Sequence, residues 1–172
     1  KITKSVKDKP MIFKFENQDG IQISNLDSEY ENKVKIIQIM GTWCPNCRDE
    51  SEFLKNYLTE HPNQDLKVIA ITFERNPDKK KAFKRIADYK AAMKLPYQVL
   101  YGGIANKDSA SNAFPQVDGI RSFPTKIFHD KTNKIHKIHT GFDGPATSVY
   151  TSFKQEFEKT ISEHIELCQN EP

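Results

Sequence analysis

Cysteine is scarce in this chain. Three of its 172 residues are cysteines, and two of them, Cys44 and Cys47, fall in one tight motif. A disulfide-stapled scaffold uses an even set of spread cysteines, so that class is excluded and the pair is chemical rather than architectural. Long apolar runs are missing as well. The longest, Ile36 to Met40 (broken by Gln38) and Val68 to Ile71, have the length of core strands and are far too short to cross a bilayer. Basic clusters are equally thin. The net charge is +3, and the one concentrated run, Asp78-Lys79-Lys80-Lys81, reads as a solvated helix start, which leaves no footprint for nucleic acid or an anionic membrane. Internal repeats and low-complexity linkers are absent. A methionine or hydrophobic leader does not precede Lys1, which reads as a processed or trimmed start, so membrane anchoring is expected only through a segment ahead of it.

What is present describes an ordinary globular protein: 28% charged residues interspersed with 37% hydrophobic ones, in a length that suits one domain with a proper core. We expect a single domain over residues 1–172, with 1–10 as a flexible N-terminal segment. Met11 to Phe15 and Ile21 to Ile23 alternate around the turn signal Asp19-Gly20, which predicts an N-terminal β-hairpin. Asn25 to Glu31 reads as a short helical turn. Lys33 to Met40 and Lys67 to Phe73 are dense enough in β-branched residues to be strands covered on both faces. Between them Phe53, Leu54, Tyr57 and Leu58 recur at helical spacing up to His61-Pro62-Asn63, and Asn76-Pro77 opens a second helix carrying Ala82, Phe83, Ile86 and Ala87. Further on we expect a strand over Leu95 to Tyr101, a turn at Gly102-Gly103 and a short helix over Asp108 to Phe114. An antiparallel hairpin follows from Thr125 to Phe128 and Ile135 to Thr140. The closing helix shows Val149, Phe153, Phe157, Ile161 and Ile165 on one face. The class is α/β.

The run Trp43-Cys44-Pro45-Asn46-Cys47 lies between a buried strand and a helix. That setting puts the first sulfur at the helix N-terminus, where unpaired N–H groups and the macrodipole favour an anion. Cys44 is thus the expected thiolate, lowered from roughly 8.5 into the 3.5 to 7.5 range such settings produce, and Cys47 lies one turn on. Cys44 would attack a disulfide and Cys47 would resolve the mixed disulfide, moving two electrons with no cofactor. A zinc knuckle would need a second ligand pair, and only Cys168 and five scattered histidines remain, so no metal is expected at this motif.

Beyond its cysteines, Gly41-Thr42-Trp43-Cys44-Pro45-Asn46-Cys47-Arg48-Asp49-Glu50 resembles the active-site segment of TlpA-type thioredoxin-like disulfide reductases. Ser122-Phe123-Pro124-Thr125 resembles that family's cis-proline loop, and Gly141-Phe142 the end of its last strand; the likeness spans most of residues 11 to 165. The resemblance implies a thioredoxin-like fold with an N-terminal hairpin and an insertion between the motif helix and the cis-proline loop. It further implies substrate contact at Trp43, Pro45, Phe123 and Pro124, with the Phe123 backbone pairing with an extended substrate chain. The implied activity is reduction of protein disulfides in an extracytoplasmic compartment, with a redox partner supplying electrons. Alternatives are an oxidase or isomerase on the same fold, or a copper metallochaperone using the two thiolates. A peroxidase is disfavoured, because nothing before Cys44 resembles the threonine-and-proline setting of a peroxidatic cysteine.

Two positions depart from the pattern. Gln38 stands where thioredoxin has a buried aspartate and cannot move a proton, so the resemblance transfers that task to Glu50, which could otherwise be an ordinary first-turn acid favoured by the dipole. Proline sits beside the first cysteine rather than the second, which leaves the potential open across the range of about −270 to −120 mV known for this fold. Of the remaining candidates, Cys168 is expected as a small buried hydrophobe. His136 and His139 are an odd number apart and face opposite sides of a strand, so with His129 they do not make one site. Glu74 ends a strand on the side of the sheet where sites gather, so it either adds acidity near the cysteines or, as most such residues do, is merely solvated.

Overall fold

The computed structural model describes residues 9–62, 65–144 and 147–170, with no side-chain detail for 164–170. The expectation for residues 1–8 lies outside the described residues, and those for the side chains of Ile165 and Cys168 lie outside the described side chains. Seven strands form one sheet in the order β2-β1-β5-β4-β3-β6-β7. They are β1 (Lys14–Glu16), β2 (Gln22–Ser24), β3 (Val34–Met40), β4 (Leu66–Glu74), β5 (Gln98–Ile104), β6 (Thr125–His129) and β7 (Ile135–Thr140). The helices are α1 (Pro45–Glu60), α2 (Lys79–Met93), α3 (Lys107–Ala113) and α4 (Tyr150–Asn170), with a 3-10 turn at Ser28–Tyr30. The central strands β3, β4 and β5 are parallel, while β1–β2, β1–β5, β3–β6 and β6–β7 pair antiparallel.

Every residue of β3 is buried, as a strand sandwiched between two layers requires. Its side chains alternate between two cores. Val34, Ile36 and Met40 join Val68 and Ala70 of β4 and Phe128 of β6 under Leu54 and Tyr57 of α1, Ile86 of α2 and Phe157 of α4. Ile37 and Ile39 join Ile69, Ile71 and Phe73 under Met11, Phe13, Ala110 and Phe114 on the opposite face. The same period of two sends Gln38 and Lys126, direct partners in the β3–β6 register, onto the α1 face.

Three expectations need correction. Gly102 and Gly103 do not turn the chain but lie within β5, because a Cβ at Gly102 would come within 2.7 Å of the Phe73 ring and 2.8 Å of Ile71, and Gly103 takes φ +139° beside the register shift at Thr72/Phe73. Met11 to Phe13 is not a strand of the hairpin. Its backbone is satisfied instead by Asn25, which accepts from Phe13 N–H at 2.9 Å and donates to the Met11 carbonyl at 2.8 Å. Val149 precedes α4 and is exposed rather than part of its apolar face. No helix among the described residues is long and apolar enough to cross a membrane.

Candidate active site

The site forms where β3 ends and α1 begins. Cys44 is the N-cap of α1 and Pro45 its first residue, a position where the missing N–H of proline is harmless. The Cys44 Sγ accepts from the Cys47 backbone N–H at 3.2 Å and lies 3.9 Å from the carbonyl oxygen of Phe123. Phe123-Pro124 is a cis peptide, and the Pro124 carbonyl accepts from Gly141 N–H at 2.8 Å. Cys44 keeps 7% of its surface exposed and Cys47 none, and both are free thiols. The two titrate in opposite directions. The Cys47 thiol hydrogen-bonds Cys44 and, with backbone N–H groups, lowers Cys44 to about 7 against the opposing effects of burial and Glu50. Cys47, the donor in that bond and buried, is pushed strongly up.

Glu50 is fully buried within the first turns of α1. Its Oε2 accepts from Lys126 Nζ at 2.7 Å, with both side chains fully buried, and its Oε1 has no hydrogen-bond partner. Burial raises the Glu50 carboxyl above the usual range although the Lys126 charge pulls it down. The Lys126 ammonium also lies 4.8 Å from the ring centre of Phe153. Gln38 donates to the Cys47 carbonyl at 3.4 Å and to Ser51 Oγ at 3.2 Å, while Tyr97 donates to Gln38 at 3.3 Å and Tyr89 to Ser51 at 2.9 Å. Gln38 thus anchors the motif helix through hydrogen bonds.

Glu74 is 1% exposed, not solvated. Its carboxylate accepts from the Thr42 N–H at 3.2 Å, from the Thr42 hydroxyl and from the Thr72 hydroxyl at 2.6 Å, pinning the turn that leads into the cysteines. Trp43 donates its indole N–H to the Phe73 carbonyl at 2.8 Å, meets Phe123 edge to face at 5.8 Å and carries the Arg75 guanidinium 4.1 Å over its ring. Gly41 makes room for that indole: a Cβ there would sit 2.4 Å from its nitrogen. Residues 6–144 match the model of the AhpC/TSA family. The chain belongs to that family. It is a thiol oxidoreductase of the thioredoxin superfamily, with the thioredoxin-like fold.

Solved structures with the same fold include a thioredoxin family thiol:disulfide interchange protein from Chlorobium tepidum TLS, 19% identical over 93% of this chain and 98% of that one, with a TM-score of 0.66. A thiol-disulfide oxidoreductase from Bacteroides fragilis NCTC 9343 is 16% identical over 87% and 99%, TM-score 0.60. StoA from Bacillus subtilis is 18% identical over 87% and 98%, TM-score 0.58. No curated protein matches the chain.

Cys44 and Trp43 therefore both meet Phe123, the residue before the cis proline Pro124, with Pro45 exposed at the start of α1 and Cys47 and Glu50 buried behind it. Sequence reasoning missed Lys126 and the anchoring group of Ser51, Tyr89 and Tyr97. Lys126 had a signal: a lysine two residues before Phe128 in an expected strand shares that residue's core-facing side. His129, fully buried, and exposed His136 stand apart from the motif, and among the described residues no three His, Cys, Asp or Glu side chains are grouped to hold a metal.

Proposed function

We propose that this protein reduces protein disulfides, with Cys44 as nucleophile and Cys47 as resolving thiol. The observation that carries this reading is the position of Cys44 Sγ, at the α1 N-cap and 3.9 Å from the Phe123 carbonyl. The Cys44 thiolate attacks one sulfur of a substrate disulfide, and the second substrate sulfur leaves as a thiol after taking a proton. Cys47 loses its proton and attacks the mixed disulfide. The products are the Cys44–Cys47 disulfide and a substrate dithiol; two electrons are transferred, and of the two protons the substrate sulfurs gain, one is given up by Cys47 and the other is drawn from solvent, to which Cys44 released its own on ionising. A redox partner returns the electrons.

Glu50 is the proton acceptor for Cys47, because its charge acts on Cys47 and burial raises its own affinity for protons. Lys126 positions that carboxyl and tunes it. The Phe123 backbone pairs with an extended substrate segment, while Trp43, Pro45 and Pro124 shape the groove. Matching folds bearing thiol:disulfide interchange and thiol-disulfide oxidoreductase names support exchange as the chemistry. The extracytoplasmic setting rests on the resemblance to TlpA-type reductases.

The test is a trap with a defined peptide disulfide. Cys47→Ala should accumulate a mixed disulfide that mass spectrometry maps to Cys44, and Cys44→Ala should accumulate none. Reduction by Cys44→Ala at the wild-type rate would end the assignment. An equilibrium potential against glutathione near the upper end of the fold's range, about −120 mV, would favour an oxidase instead.

A further inference from the structure

Beside Trp43 a cleft of about 640 Å³ opens between the start of α1, the loop after β4 and the outer face of α2. Its lining is basic. Arg48, Arg75, Lys81, Lys84 and Arg85 reach it against one carboxylate, Asp88, which is already paired with Lys84 at 2.8 Å. Behind the wall, buried Glu74 lies 3.9 Å from Arg85 Nε and offsets part of that charge. Arg48, Arg75 and Lys81 have no carboxylate within ion-pair distance in the described structure and are exposed. The lysines at the N-terminal end of α2 also oppose its macrodipole, so their placement gains nothing from the helix itself.

The cleft shares a wall with the reacting centre. Trp43 and Thr42, the two residues before Cys44, line it, and Arg75 stacks on the indole. Whatever occupies it is therefore held next to the Cys44 sulfur. Resting on the disulfide-reductase reading above, we propose that this cleft binds an acidic segment of the protein substrate, adjacent to the disulfide presented to Cys44. The occupant must be a peptide because it has to carry that disulfide, and it must be acidic to neutralise the cluster. Clefts lined by one sign of charge raise the rate of encounter with opposite charge, and screening by salt removes that advantage. A nucleic acid or lipid headgroup would meet the charge but brings no disulfide.

The experiment measures the second-order rate at which the pre-reduced chain reduces three cyclic peptide disulfides, identical except for a flank of three Glu, three Gln or three Lys. At low ionic strength the Glu peptide should react about tenfold faster than the Gln peptide, with the Lys peptide slowest, and the spread should close at high salt. The double charge reversal Lys81→Glu/Lys84→Glu, at exposed positions, leaves three cations against three carboxylates and should collapse the Glu-to-Lys order. Equal rates for the Glu and Gln peptides, or an order unmoved by the reversal, overturn the proposal while leaving the reductase reading intact. Failure of all three peptides to react overturns that reading and the proposal with it. If glutathione disulfide reacts faster than the Glu peptide and loses its advantage in the reversed variant, the occupant is a small tripeptide and the protein-segment assignment is wrong.

Discussion

Replacing Lys126 by Met removes the cation from a buried pair and leaves Glu50 alone in an apolar layer. The attraction across 2.7 Å is about 6 kcal/mol at an effective dielectric of ~20. Desolvation of both ions offsets much of it, and stranding one partner of such a pair typically costs about 3–5 kcal/mol. The size of the loss must depend on pH. Burial already raises the folded-state pKa of Glu50 above its unfolded value of about 4.3, so the folded protein holds the proton more tightly, and stability falls as pH rises from there through the folded pKa. Without Lys126 the carboxyl rises further, and the falling limb extends to higher pH. Urea denaturation followed by circular dichroism, under reducing conditions, should show Lys126→Met near wild type at pH 4.5. By pH 8 it should be destabilised by about 3–5 kcal/mol. Adding Glu50→Gln should flatten the pH dependence and recover most of the loss. Equal destabilisation at pH 4.5 and pH 8 would refute the argument, because a packing defect does not titrate.

Alkylation of the reduced protein should label Cys44 before Cys47, with a half-maximal rate near pH 7, and Glu50→Gln should move that midpoint down because the Glu50 charge raises the Cys44 pKa. Labelling of Cys47 first, or an unmoved midpoint, counts against the assigned electrostatics. Glu74→Gln replaces an acceptor with an amide facing the Thr42 N–H and the Thr42 and Thr72 hydroxyls, so it should lower stability by about 1–3 kcal/mol in a denaturant titration. A change below about 0.5 kcal/mol would mean the turn is held by other contacts.

The elements that were legible in the sequence are those whose burial imposes a period. Strand β3 and the helices α1 and α2 announce themselves through Val34, Ile36 and Ile37, then Phe53, Leu54 and Tyr57, then Ala82 and Ile86, all of which are buried as that spacing requires. The Gly102-Gly103 pair misled because local turn preference competes with a tertiary demand, the approach of the Phe73 ring, that no neighbouring residue advertises. At the site the cysteines were legible because their chemistry is local. The Glu50–Lys126 pair was not, since it joins residues 76 apart in the chain, and Lys126 reaches Glu50 only after β6 pairs with β3. The basic cleft escaped for the same reason: Arg48, Arg75 and the α2 cations are scattered in sequence and converge only when α1 and α2 pack over one face of the sheet.

Trp43 is the chain's single tryptophan, and its indole is fixed between the Phe73 carbonyl, the Phe123 ring edge and the Arg75 guanidinium. All indole emission therefore originates within one residue of the nucleophilic sulfur. Nearby thiolates and disulfides differ as quenchers, so the protein carries a built-in optical reporter of its own oxidation state, read without any label. The same placement makes emission a poor gauge of global unfolding: a melt followed at this wavelength registers the fraying of the motif turn, and it will coincide with a far-ultraviolet melt only if that turn and the sheet come apart together.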